Sequence, residues 1–147
     1  MELDTYTFEN ENDDLFSYSF VSKGKNGNII KIVQFTLMEN GESYNLSLGD
    51  YQPETSSINY DSISNNGDMN IVFTTISNIV IDFLSKFPKK YVFATGNTNN
   101  RTRLYRTGLS KYQNQIKEHF FLLGRKDGEW QIFEKEENYE AFLIKKI

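Results

Sequence analysis

The residues best suited to chemistry lie in one short run, Tyr91-Val-Phe-Ala-Thr-Gly-Asn-Thr-Asn-Asn-Arg-Thr-Arg-Leu-Tyr-Arg106. It predicts an apolar strand, a tight polar turn and a helix that carries arginines in its first turns. The first backbone N–H groups of a helix have no partner within it, and together with the helix dipole they attract anions. Cations are unfavourable at that end unless an anion joins them. The run therefore predicts a site for a phosphate or carboxylate, formed by Thr95, Gly96, Asn97, Thr98, Asn99, Arg101, Arg103 and Arg106.

A purely structural interpretation of the same run stays open. Thr98 would then only cap the helix, and the arginines would pair with acidic residues of the chain, namely Asp50, Asp61 or Asp68. The turn has neither the GxxxxGK[ST] pattern of a Walker loop nor the GxGxxG pattern of dinucleotide-binding folds, so neither nucleotide site is predicted.

Few other residues have types and spacing that indicate a reaction. The chain has one histidine, His119, and no acidic pair at ligand spacing, so no metal site is predicted. A serine–histidine–aspartate triad would need His119, and no G-x-S-x-G sequence offers the serine. Asp50 and Asp61 are single acids at loop positions, where most acids are simply solvated. Trp130 is expected in the core or at an interface rather than as a platform for bases. No catalytic residue and no cofactor are predicted.

Composition and charge limit the class of protein. The chain has 147 residues, no cysteine, no apolar run long enough to cross a membrane and no signal-peptide pattern at its start. We therefore expect one cytoplasmic domain without a membrane partner. The net charge of −4 divides into −9 for residues 1–70 and +5 for residues 71–147. The basic half can serve phosphate groups or dock on an acidic surface, whereas a pI near 5.1 disfavours non-specific binding to duplex DNA.

Alternation of residue types predicts three strands in the first half. Residues 15–22 place Phe16, Tyr18 and Phe20 on one face, and the β-branched run 29–38 suits the centre of a sheet. The hairpin signal Asn40-Gly41 leads to a third strand around Leu46. Residues 1–13 are expected to be loose, and residues 49–67 to form a long polar loop.

The second half predicts two helices separated by a strand. The first helix begins after an N-cap at Asp68 and stops at Pro88, and the strand covers residues 90–95. The second helix covers residues 99–118, and a hairpin closed by Asp127-Gly128 joins residues 119–123 to 129–133. Residues 138–147 are either a strand or a short helix. The predicted fold is α+β, with a single mostly antiparallel sheet in the order βββ–α–β–α–ββ and two helices packed on it. The inner stripe of the second helix is predicted to contain Leu104, Tyr105, Leu109, Tyr112 and Ile116.

The arginine-rich run also carries a family resemblance. Phe93-Ala-Thr-Gly-Asn-Thr-Asn-Asn-Arg-Thr-Arg-Leu-Tyr-Arg106 resembles an ATG[SN]TxxRTRLYR motif of a family of small bacterial proteins of unknown function, found mainly in Bacteroidetes-type genomes. The resemblance extends from about Phe16 to the C-terminus and includes Ser64-Asn-Asn-Gly-Asp68 and Asn138-Tyr-Glu-Ala-Phe-Leu143. Members more often have serine where Asn97 stands. The resemblance implies no particular activity.

A weaker resemblance is to the GNAT acetyltransferases. Their core runs through antiparallel strands into a helix, a strand, a second helix and closing strands. Asn97 or Asn99, Leu104-Tyr105 and Gly108 are similar to the Asn…Leu-Tyr…Gly pattern of their second helix. Their coenzyme A loop, [RQ]xxGx[GA], has no match in residues 64–68.

These observations lead to one expected function and two alternatives. We expect a phosphate-bearing ligand, RNA or a nucleotide, to bind at the arginine-rich turn, as it would in a toxin-like component of a two-gene system. One alternative is a non-enzymatic module whose acidic and basic halves dock with a partner protein or a second copy. The other is a GNAT-like acyltransferase, as the second resemblance implies.

Overall fold

The structure, a computed structural model, describes residues 4–10, 15–60, 66–95, 99–135 and 137–147, and only the backbone of residues 99–101. Within these ranges it contains nine strands and two helices. In chain order they are β1 (Phe8–Asn10), β2 (Ser17–Gly24), β3 (Gly27–Leu37), β4 (Ser43–Gln52), β5 (Ser57–Asn59), α1 (Met69–Lys86), β6 (Tyr91–Ala94), α2 (Asn99–Lys117), β7 (Phe120–Lys126), β8 (Glu129–Ile132) and β9 (Ala141–Lys146).

All nine described strands belong to one sheet. Its order is β1-β2-β3-β4-β6-β9-β7-β8, and β5 pairs with β4 beside this path. The pairing of β4 with β6 is parallel, whereas the other pairings between described strands are antiparallel. The prediction of an α+β fold with a mostly antiparallel sheet and two helices is confirmed.

The first half of the sheet forms because its alternate residues are apolar. Tyr18 lies opposite Val33 in the β2–β3 pairing, and both are fully buried together with Phe35. Helix α1 covers this face, and the ring of Phe83 stacks on Phe35 with centroids 3.9 Å apart. Burying a side chain of this size contributes roughly 1.5–3 kcal/mol, so the stack fixes α1 on the sheet.

Helix α2 lies beside α1 on the same face of the sheet. Its predicted inner stripe is confirmed, since Leu104, Tyr105, Leu109 and Ile116 are buried and Tyr112 is half-buried. The two helices meet at Gly108, where an added Cβ would lie 2.2 Å from the Phe73 ring of α1. The absence of a side chain at this position therefore permits the close approach of α2 to α1.

Two segments predicted to be irregular contain strands, which corrects the predicted order of elements. Within the segment 1–13, β1 pairs Phe8 with Phe20. Within the segment 49–67, β4 continues to Gln52 and β5 pairs back onto it. The order is thus five strands, α1, one strand, α2 and three strands. Strands of three residues give too short an alternation to be recognised from sequence.

The C-terminal segment, whose conformation the sequence left open, is the strand β9. It lies between β6 and β7, with Leu143 opposite both Phe93 and Leu123. Because it has neighbours on both sides and buries Phe142 and Ile144 against the helices, it holds the second half of the sheet together.

Candidate anion-binding site

The predicted strand, turn and helix are placed by β6 and α2. Strand β6 ends at Ala94, and Thr95 follows with its Oγ1 donating a hydrogen bond to the carbonyl of Glu140, at 3.0 Å. Helix α2 begins at Asn99, as predicted. The predicted residues Gly96, Asn97 and Thr98 lie outside the described residues, as do the side chains of Asn99 and Arg101.

Two of the predicted arginines lie on one side of the beginning of α2. Arg103 is exposed and Arg106 is half-buried, and residues three apart in a helix are neighbours on its surface. Neither forms an ion pair within 4.0 Å with any described residue. The first turn of α2 also contains no acidic residue, so no local carboxylate there offsets the positive end of the helix dipole.

The acidic residues that were the alternative partners of these arginines have other contacts. Asp50 Oδ1 accepts a hydrogen bond from Lys31 Nζ at 2.6 Å, and both residues are buried. Asp68 Oδ2 accepts hydrogen bonds from the hydroxyls of Tyr6 at 2.7 Å and Ser22 at 2.5 Å. Asp61 lies outside the described residues. Asp68 occupies the N-cap position of α1, as predicted, but its side chain makes no capping hydrogen bond.

Both helices begin at the same edge of the sheet. Because β4 and β6 are parallel, their carboxyl ends lie at the same end of the strands, and α1 and α2 both start there. Asn66, just before α1, is buried and bound to the β2–β3 turn: its Oδ1 accepts from the backbone of Asn26 at 2.7 Å, and its Nδ2 donates to the carbonyl of Gly27 at 3.0 Å. An added Cβ at Gly24 would lie 1.9 Å from the Asn66 carbonyl, so a residue without a side chain is required there.

The comparisons with known proteins identify one family that the chain matches. A model of a family of unknown function (DUF6934) matches residues 2–147. The chain belongs to this family. The match confirms the family resemblance and extends it to residues before Phe16. No curated protein and no solved structure matches the chain significantly.

In this family member, β4 has an edge with a gap between two partners. Strand β3 occupies one edge of β4 from Tyr44 to Asp50, so β5 and β6 share the other edge. Strand β6 pairs with residues 43–46 and β5 with residues 50–52. No described strand pairs with residues 47–49 on that edge.

An apolar cavity adjoins this gap between the sheet and the helices. Leu46 and Ala94 form the last pair between β4 and β6. They line the cavity together with side chains of both helices, among them Ser77 and Tyr105. Its volume is about 40 Å³, which is room for a few atoms. Neither the gap nor the cavity could be predicted from the sequence, because both depend on which strands become neighbours.

The remaining predicted site residues do not form a reaction centre within the described part of the chain. His119 is exposed at the end of α2, and the described residues contain no group of three or more histidine and acidic side chains that could hold a metal ion. Trp130, expected in the core or at an interface, lies on the sheet face opposite the helices and is 39 % exposed. In the described ranges, neither helix has the length and apolar character needed to cross a membrane.

Proposed function

We propose that this protein binds a phosphate-bearing ligand, RNA or a nucleotide, at the turn between β6 and α2. The observation that supports the proposal is the pair Arg103 and Arg106, which share one side of the helix and have no carboxylate partner among the described residues. Two cations near the positive end of a helix are unfavourable by themselves. A phosphate would offset that cost and would also accept hydrogen bonds from the first backbone N–H groups of α2.

The expected affinity follows from the strength of such contacts. A hydrogen bond to a charged group contributes roughly 1.5–3 kcal/mol, so the two arginines together contribute about 3–6 kcal/mol before the cost of association. Because association itself costs at least about 4 kcal/mol, a phosphate held by them alone would bind no more tightly than a dissociation constant of roughly 30 mM. A ligand with further groups, such as a nucleotide base, would bind more tightly. A toxin-like role would place a phosphodiester of RNA beside the same arginines.

A thermal-shift panel tests the proposal. The purified full chain is melted with inorganic phosphate, nucleotides, short RNA or acetyl-coenzyme A, at low and at physiological salt. A ligand at about 100 times its dissociation constant stabilises the fold by roughly 2.7 kcal/mol, a rise in melting temperature on the order of 5–10 °C. The Arg103→Ala and Arg106→Ala variants should each weaken that ligand about 10-fold to 100-fold.

A matched control comes from the same helix. Lys117 is exposed in the last turn of α2, so Lys117→Ala removes the same charge at the opposite end and should leave the ligand shift unchanged. Equal loss of the shift in Lys117→Ala and Arg103→Ala would indicate non-specific attraction and refute the site. No shift with any ligand of the panel would refute phosphate binding and favour an interaction module.

A second candidate function, a GNAT-like acyltransferase, is supported by the gap in β4. Acyl-coenzyme A combines phosphates with an extended arm that contains amide groups, and such an arm can pair with an open strand edge as a peptide does. The edge at residues 47–49 and the adjoining apolar cavity suit the arm and a small acyl group. Apart from β1 and from β5, which lies between β4 and α1, the succession of β2, β3, β4, α1, β6, α2 and closing strands also follows the element order of that resemblance.

The same panel separates the two candidates. An acyltransferase should be stabilised by acetyl-coenzyme A more than by nucleotides that share its phosphates. Filling the cavity with Ala94→Leu should then abolish the difference between acetyl-coenzyme A and the free nucleotides. An equal shift with both ligand classes would leave only the phosphate site.

A further inference from the structure

The sheet face opposite the helices has two unlike halves. In the first half, outward positions of β2, β3 and β4 are mostly Ser, Thr, Asn and Gln. In the second half, the outward positions of β6, β7, β8 and β9 carry four aromatic residues and two basic ones, and none carries an acid. We call this half the aromatic face and define it by Tyr91, Phe93, Phe121, Arg125, Trp130 and Lys145.

A depression lies at one end of the aromatic face. Its volume is about 320 Å³, and it is lined by Tyr91, Phe121, Leu123, Leu143 and Lys145. Lys145 lies opposite both Tyr91 and Phe121, which belong to the strands on either side of β9. Its Nζ is 5.2 Å from the centre of the Tyr91 ring, and Phe121 is 60 % exposed. The depression thus has two ring systems at its sides and the cation of Lys145 beside the Tyr91 ring.

A second group of rings lies at the other end of the aromatic face. The guanidinium of Arg125 is 5.6 Å from the centre of the Phe93 ring and 5.5 Å from that of Trp130. The two rings meet edge to face with centroids 6.0 Å apart. Glu140, just before β9, has its Oε2 3.4 Å from Arg125 Nε, which holds the guanidinium among the rings. Arg125 and Phe121 are four residues apart on β7, or about 13 Å.

The size and charge of the aromatic face indicate whether it binds a second copy of the chain or a smaller ligand. Four strands about 4.8 Å apart, with four to seven residues each, present on the order of 300–400 Å². A stable dimer buries about 800 Å² per partner, so this face alone is too small for a second copy. Arg125 is paired with Glu140, so the cation that this face offers to a ligand is Lys145. Exposed rings beside this cation suit a ligand that is flat, aromatic and negatively charged. Single-stranded nucleic acid has this combination, because its bases stack on aromatic side chains and its phosphates attract lysine and arginine.

We propose that the aromatic face binds single-stranded nucleic acid, with one base in the depression between Tyr91 and Phe121 and another on Trp130. Lys145 contacts the phosphates between them. This site goes beyond the phosphate site at α2, since it is formed by other residues on the opposite face of the sheet. Its affinity comes mainly from stacking, so it depends on salt less steeply than a site made of phosphate contacts.

The experiment uses the only tryptophan of the chain, Trp130, as its own reporter. A short single-stranded oligonucleotide, oligo-U or oligo-dT, is titrated into the full chain while tryptophan fluorescence is followed. We expect saturable quenching by the single strand and little by a duplex, whose bases are already stacked. Phe121→Ala should weaken binding about 5- to 150-fold. Lys145→Gln should reduce the slope of log affinity against log salt by about 0.7.

Two control variants make the outcome decisive. Tyr51→Ala removes an aromatic residue from the first half of the same sheet face, and Lys117→Ala removes an exposed cation from the last turn of α2. Neither should change the quenching. Absence of quenching, equal quenching by the duplex, or equal weakening in Tyr51→Ala would overturn the proposal. Loss of binding in Arg103→Ala with full binding in Phe121→Ala would overturn it while supporting the phosphate site. Self-association that Phe121→Ala abolishes would assign the face to a second copy instead.

Discussion

The contact between α1 and α2 at Gly108 leads to a prediction with two opposing contributions. Replacing glycine by alanine inside a helix stabilises it by about 1 kcal/mol, because alanine loses less conformational freedom on folding. The added methyl group at position 108, however, would lie 2.2, 2.3 and 2.5 Å from three carbons of the Phe73 ring. Favourable carbon contacts are about 3.5–4.0 Å, so the overlap exceeds 1 Å.

The overlap should outweigh the propensity. Phe73 is buried, and its ring stacks on Tyr112 of α2 with centroids 5.9 Å apart, so the ring cannot move aside without losing that contact. Overpacking of this kind costs roughly 1–3 kcal/mol. After the propensity gain of about 1 kcal/mol is subtracted, we expect Gly108→Ala to lower the free energy of unfolding by up to about 2 kcal/mol, measured by urea denaturation, with a fall in melting temperature of up to roughly 8 °C.

A double-mutant cycle separates the two contributions. In a Phe73→Leu background the smaller side chain leaves room for the methyl group, so Gly108→Ala should become neutral or stabilising by up to about 1 kcal/mol. The coupling between the two positions should then be about 1–3 kcal/mol. Stabilisation by Gly108→Ala in the wild-type chain would refute the reasoning, because it would show that α2 and α1 separate at no cost.

Two further predictions concern buried polar contacts. Burial and the hydrogen bond to Asp82 raise the pKa of Tyr18 above its usual value of 10.0, so the stability from Tyr18 is complete below pH 10 and is lost as the pH rises further. Tyr18→Phe should therefore lower the free energy of unfolding by about 0.5–1.5 kcal/mol at neutral pH. Above pH 10 the free energy of unfolding of the variant should fall less steeply than that of the wild-type chain. Equal falls in the two proteins, measured by urea titration, would contradict this prediction. Lys31→Met leaves the Asp50 carboxylate buried beside an apolar chain and should lower the free energy of unfolding by about 3–5 kcal/mol. The double variant Lys31→Met/Asp50→Leu should recover most of that loss. A double variant no more stable than Lys31→Met would contradict this prediction.

Much of the fold follows from local patterns in the sequence. The alternation of Tyr18 and Phe20 with serines, and the helical spacing of Leu104, Leu109 and Ile116, describe the side of each element that is buried. Turn residues also give reliable information: Asp127 and Gly128 both have positive φ, as the predicted hairpin between β7 and β8 requires. These features need only neighbours in sequence or one turn of helix, so a single chain suffices to predict them.

The errors in the prediction come from pairings between distant residues. Strand β1 contains the half-buried Phe8, and Tyr6 beside it stacks on Phe20 with centroids 5.9 Å apart, yet its three residues have no pattern of their own. Asp68 was expected to cap α1 because it precedes the helix, but its carboxylate instead accepts hydrogen bonds from Tyr6, just before β1, and from Ser22 of β2. Rules that use only neighbouring residues cannot predict these hydrogen bonds, because Ser22 and Tyr6 lie 46 and 62 residues from Asp68 in the sequence.

The same reason explains why the aromatic face was not predicted while the arginine-rich turn was. Arg103 and Arg106 are close in sequence, so their common side of α2 follows from helical spacing. The aromatic face requires that β9 lie between β6 and β7, which brings Tyr91, Phe121 and Lys145 side by side from three separate parts of the chain. It also requires that α1 and α2 cover one face of the sheet and leave the other. The continuous apolar run 120–123 places apolar residues on both sides of β7, and only the packing of the helices decides which side is core and which side is free to bind a ligand.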